Sequence, residues 1–267
     1  MRSLTWSRLA FVVAAAVPAL AGAQDRSALL LKVPTSPDQM GAGTGRAQPG
    51  VSTSSPLGFG PAYGDVFAGF GYQAQARGTT QDDGSASFGF GLGNPTKYVG
   101  LETVITSLST VREGFFKRTA LGLKAHRMLP GNAAIGFGVE DIVLNGSSDS
   151  KETYYLALSK FMSLGTGQYF NGLTLNVGAG NGRFQQVSDV NAGKNGWNAF
   201  ASAGLKISSW LGGIADWTGQ DLNLGASIAP IKTLPLVITP ALADVTHKAN
   251  DKTRFTLGAG VSWHFTK

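Results

Sequence analysis

The chain has 267 residues, no cysteine and a formal net charge of +6. Only 14% of its residues are charged, while glycine takes 37 positions, about twice its usual share of ~7%. This composition excludes disulfide scaffolds, thiolate metal sites and charge-rich nucleic-acid tails, and no succession of ~20-residue apolar runs is present to build a multi-span helical membrane protein.

Residues 1–23 read as a secretory signal peptide. Arg2 and Arg8 form a positive start, Leu9–Leu20 an apolar stretch, and Ala21-Gly22-Ala23 a small-x-small cleavage site before Gln24. The apolar stretch is interrupted by Pro18 and is too short to span ~30 Å of hydrocarbon. Residues 24–60 follow as an irregular extension or plug. Pro34, Pro37, Pro49 and Pro56 lie there among Gly, Ser and Thr, with one apolar patch at Leu29–Leu31.

From residue 61 to the end, large apolar residues alternate with small or polar ones. Phe88, Phe90 and Leu92 alternate with Ser87, Gly89 and Gly91. Ile135, Phe137 and Val139 alternate with Gly136, Gly138 and Glu140. Phe255, Leu257, Val261, Trp263 and Phe265 alternate with Thr256, Gly258, Gly260, Ser262 and His264. Period two is the signature of a strand with two different faces. It predicts twelve strands: 63–76, 85–93, 96–107, 116–128, 132–144, 152–163, 171–180, 197–208, 210–217, 220–229, 234–245 and 253–266. Pro235 and Pro240 make the eleventh awkward for a strand paired on both sides.

The connections separate a barrel from a sandwich, which also alternates. Odd connections are polar and mostly long, such as 77–84 and 181–196, while even ones are mostly tight, such as Asn94-Pro95. Short turns at one end and longer loops at the other are the habit of transmembrane barrels. An even strand number puts both termini at the short-turn end. Glycine on the small-residue face relieves crowding inside a curved sheet. Aromatic residues gather near strand ends: Tyr63, Tyr98, Tyr154, Tyr155, Trp197, Trp210, Trp217, Trp263 and Phe265.

On these features the chain resembles the outer-membrane β-barrel proteins of Gram-negative bacteria, over residues 63–267. The resemblance implies an all-β, antiparallel up-and-down transmembrane barrel of about twelve strands, placed in the outer membrane with lipid as its surrounding partner. Such barrels often end on an aromatic residue; here Thr266 and Lys267 follow Phe265. A secreted all-β domain is the alternative.

Parity sends Glu102, Arg118, Lys124, His126, Glu140, Asn176, Lys206, Asp216, Asp221, Asn223 and His264 to the inner face. Two readings of this mixed set compete. Interior ion pairs can fill a narrow barrel, or the charges can line a water-filled path and set its solute preference. Arg118, Lys124 and His126 form a short basic ladder, which Glu102 and Glu140 on the flanking strands can neutralise. Enzyme chemistry is not expected. There are three histidines, His126, His247 and His264, and no serine stands out beside any of them. No metal or other cofactor is expected, because His and Asp are scattered, and Gly178–Gly182 lacks the helix and Lys-Ser/Thr pair of a phosphate loop. The expected function is a narrow porin-like channel for ions or small solutes, ranked first because the inner face is so rich in glycine and small residues. The alternative is a non-conducting structural or adhesion barrel whose loops or N-terminal extension bind a partner.

Overall fold

A computed structural model describes residues 48–265, apart from 78, 148–151, 232 and 249–251. The signal peptide and most of the extension, residues 1–47, lie outside the described residues. Twelve antiparallel strands form one closed ring: β1 (Asp65–Gln73), β2 (Asp83–Gly93), β3 (Gly100–Leu108), β4 (Arg118–Leu129), β5 (Ala133–Asn145), β6 (Thr153–Ser163), β7 (Gly172–Gly180), β8 (Asn198–Lys206), β9 (Leu211–Trp217), β10 (Leu222–Ile228), β11 (Leu236–Ala243) and β12 (Arg254–His264). Each strand pairs with its sequence neighbours, and β1 pairs with β12 from Asp65↔His264 to Gln73↔Thr256. Full closure leaves no edge strand exposed. Every strand expected from the alternation is present, shifted by a few residues at its ends.

Alternation sorts the two faces as the pleat requires. In β6, Tyr154, Leu156 and Leu158 are exposed, whereas Thr153, Tyr155, Ala157 and Ser159 are buried. In β7, Leu175 and Val177 face out while Thr174 and Asn176 face in. The outer wall therefore presents a continuous apolar surface and the interior a polar one. At the strand ends Tyr63, Tyr98, Tyr154, Trp197, Trp210, Trp263 and Phe265 are exposed. Two of the set differ: Trp217 is half-buried, and Tyr155, at 3% exposure, lies inside against Phe184 and Phe200.

Two places break the regular ladder. Register shifts between β4 and β5 add residues to β5, and Asp141 takes φ +62° there. This bulge turns both Glu140 and Asp141 from the outer wall. Between β10 and β11 the pairs Gly225↔Ala241 and Ile228↔Ile238 flank a gap at Pro240, which has no N–H to contribute.

The near end of the barrel carries the start of β1 and the end of β12. The far end carries the connections 74–82, 109–117, 146–152, 181–197, 218–221 and 244–253. The longest of these, 181–197, holds a 3₁₀ turn (Gly182–Phe184) and one short helix, α1 (Val187–Asn191). Phe184 drops from this loop into the interior and stacks on Phe200, 4.5 Å between ring centroids. Across the interior, Phe67 and Val237 form a second apolar island beside Val104.

Candidate functional site in the barrel interior

Residues 48–62 run inside the barrel. At the near end, the Lys206 ammonium donates to the Gln48 side-chain carbonyl at 2.8 Å, and the Gly50 N–H donates to the Ser227 hydroxyl at 2.6 Å. The segment then climbs. At its tip, Ser52–Ser55 wrap around the carboxylate of Asp216, near the far end of β9. Oδ2 accepts from the Ser52 and Thr53 hydroxyls and from the N–H groups of Thr53, Ser54 and Ser55, at 2.8–3.1 Å. Oδ1 accepts from the Ser55 hydroxyl. The segment then descends. The Asn176 amide donates to the Pro56 carbonyl, the Gly58 N–H to the Ser159 hydroxyl, and the Lys124 ammonium to the Phe59 carbonyl. Ala62 hands the chain to β1 through its N–H bond to Asp65.

The wall is cut to fit this hairpin. A Cβ placed on Gly204 would lie 2.5 Å from Val51 Cβ; on Gly91, 2.3 Å from the Ala62 carbonyl oxygen; on Gly225, 3.0 Å from Thr53 Cγ2. These inward glycines make room for backbone, which is the ordinary reason for glycine where two chains approach closely. Sequence reasoning read the same small residues as a sign of open space. The room they leave is filled by the chain's own segment.

Serine and threonine suit the tip because the hydroxyls of Ser52, Thr53 and Ser55 add to the N–H groups of Thr53, Ser54 and Ser55 as donors. Asp216 is fully buried and has no cationic partner among the described residues. Its charge is met by the segment's N–H and O–H dipoles, the arrangement of an anion nest.

The other inward groups close around this axis. Glu102 and Lys124, adjacent in register, pair at 2.6 Å and are both buried. His126 is 2% exposed and lies beside the Cα atoms of Gly60 and Gly100. Arg118 reaches Ser109, the Ser147 carbonyl and Glu113. The basic ladder is thus distributed among separate partners. Arg183, from the far loop, donates to Glu140 at 2.8 Å and to the Ser54 carbonyl at 2.9 Å, tying loop, wall and tip together. Nothing in the sequence marked Arg183, because its role depends on the loop folding inward. Asn223 approaches Thr53 and accepts from the Asp244 N–H. His264 sits at the near rim instead, half exposed, 2.7 Å from Asp65.

At the far mouth Arg77 folds in from the β1–β2 connection. It donates to Gln220 and to Asp221, and Arg254 reaches the same Asp221 oxygen at 3.2 Å. Gln220 in turn donates to the Arg183 carbonyl at 2.8 Å. Burial pushes the Asp221 carboxyl above its ordinary value, against the pull of Arg77 and Arg254. Burial likewise lowers the Arg77 guanidinium, against the pull of Asp221.

Closed pairing, an apolar outer wall and a polar, occupied interior define an outer-membrane-type β-barrel. No protein-family model matches the chain, and neither does any curated protein. Solved structures similar to it include two outer-membrane proteins. One is described as "KdgM porin in complex with disordered oligogalacturonate", with 13% identity and a TM-score of 0.45, covering 75% of this chain and 99% of that one. The other is the Acinetobacter baumannii outer membrane protein Omp33, with 10% identity and a TM-score of 0.41, covering 76% and 98%. The fold assignment rests on the strand pairing itself.

Proposed function

We propose that the chain is a porin-like outer-membrane channel for ions or small polar solutes, held closed by its own residues 48–62. The near end faces the periplasm, and the lumen-lining groups are Glu102, Arg118, Lys124, His126, Glu140, Lys206, Asp216 and Asp221. The observation that carries this reading is the bonding of Ser52–Ser55 to Asp216. The segment is held to the interior largely by polar contacts, which water can replace. The wall behind it is polar, so withdrawing the segment leaves a surface that hydrates rather than collapses. An apolar interior would instead favour a permanent core.

The test is single-channel current across a planar bilayer from the chain beginning at Gln24, compared with Asp216→Ala. The parent is expected to be mostly silent with brief openings, and the variant to dwell open. If both insert, judged by slow migration of unboiled protein on a gel, and neither conducts, the channel reading fails. The barrel is then a scaffold.

A further inference from the structure

A cleft of about 500 Å³ lies at the far rim, between the far loop, the β9–β10 turn and the β11–β12 connection. Its wall includes Trp217, the last residue of β9. Asp216 before it is fully buried and Ala215 is exposed, so parity turns the Trp217 indole outward, level with Ala201 and Leu222 of the flanking strands. The far loop contributes Gln186, Ser188 and Asn191, and the β9–β10 turn contributes Gln220. Lys248 leans in from the β11–β12 connection, with its Nζ 5.6 Å from the centre of the Trp217 ring. Among the described residues, no carboxylate lines the cleft.

Location and chemistry together select an occupant. An outward tryptophan at the end of a strand, above an apolar wall, stands at the height of lipid headgroups. Tyr154 and Trp197 are exposed at the same end. An indole face accepts the C–H face of a sugar ring. An ammonium beside it pairs with a phosphate, and the far-loop amides of Gln186 and Asn191 with the Ser188 hydroxyl match sugar hydroxyls. We infer that this cleft holds the phosphorylated sugar head of an outer-leaflet glycolipid. The inference rests on the membrane reading above and adds to it a defined lipid site.

The test uses the chain from Gln24 refolded into phosphatidylcholine vesicles, with or without lipopolysaccharide. A third arm adds soluble glucosamine 1-phosphate to the vesicles that lack lipopolysaccharide. The readout is the rate at which an amine-reactive reagent labels each lysine, followed by mass spectrometry. Lys194, exposed at the same rim, controls for general screening by the anionic leaflet. Lipopolysaccharide is expected to slow labelling of Lys248 about tenfold relative to Lys194, the size of one charge-assisted contact. Trp217→Leu should abolish that protection while still inserting. Equal protection of Lys248 and Lys194 overturns the site. So does protection that survives in Trp217→Leu. Protection by the soluble sugar phosphate alone overturns the lipid assignment in favour of a free ligand. Failure to form the heat-modifiable barrel in any vesicle overturns the membrane reading and the lipid site with it.

Discussion

At the residue scale, Asp216 and Asp221 are both fully buried aspartates near the far mouth, in opposite electrostatic settings. Asp216 is solvated by N–H and O–H dipoles of the segment; Asp221 is bridged by two arginines. Asp216→Ala leaves three backbone N–H groups without their acceptor. The docked segment should lose about 3 kcal/mol, or roughly a hundredfold in the ratio of docked to undocked states. Limited proteolysis between residues 48 and 62 would measure this, the variant being cut faster while the barrel stays intact. Asp221 governs a pH response instead. Its carboxyl is raised in the closed mouth, so the closed form binds its proton more tightly than a hydrated, open mouth does. Its contribution to closure is fully present below the ordinary value of 3.8 and is lost as pH rises through the raised value. Open probability should therefore fall on acidification toward that ordinary value. Asp221→Asn should flatten the response. A conductance that rises with acidity would contradict this assignment.

At the element scale, the strands were legible because period two survives wherever an apolar outer face is set against a polar, filled interior. All twelve are present, and even Pro240 left its mark: β11 exists, but its ladder to β10 is interrupted at that residue. The amide of Ala226, directed at the interrupted ladder, should exchange hydrogen faster than those of Leu156–Leu158, which sit in unbroken ladders on both sides. The inner hairpin was much less legible. Its residues, such as Ser52-Thr53-Ser54-Ser55, have the composition of a linker, and composition does not say what a linker touches. The signal lay in the wall. Gly91, Gly204, Gly212 and Gly225 recur on the inner face because backbone passes over them or close beside them. Gly204→Leu tests that explanation directly. The new side chain would collide with Val51 Cβ and Cα, displacing the segment, so current should increase without loss of barrel insertion.

At the scale of the whole molecule, two different surfaces shape the sequence. The outer wall is apolar and the interior is built on hydrogen bonds, with inward charges such as Lys124 paired. Leu158 lies midway along β6 on the outer face. Leu158→Arg should lower folding stability in lipid vesicles by about 2–4 kcal/mol. The same change at the exposed loop residue Thr80 should have little effect. Equal effects, measured by denaturant titration of the vesicle-bound protein, would argue that the wall does not face lipid. Parity sent Glu102, Lys124, Asp216 and Asp221 inward, where they are buried, but also His264, which sits half exposed at the near rim. It could not give their partners, because several of these come from a loop and a segment far away in sequence.

The inner segment rises to Asp216 and returns to the end at which it entered. It is therefore a loop laid into the barrel and not a thread passed through it. A threaded strand could leave only if its whole upstream chain were drawn across or the β1–β12 seam came apart. A laid-in loop carries no such topological lock. Traction applied at Gln48, from the near end alone, can peel its contacts away in order from Lys206 to Asp216. The twelve-strand ring need not break a single rung.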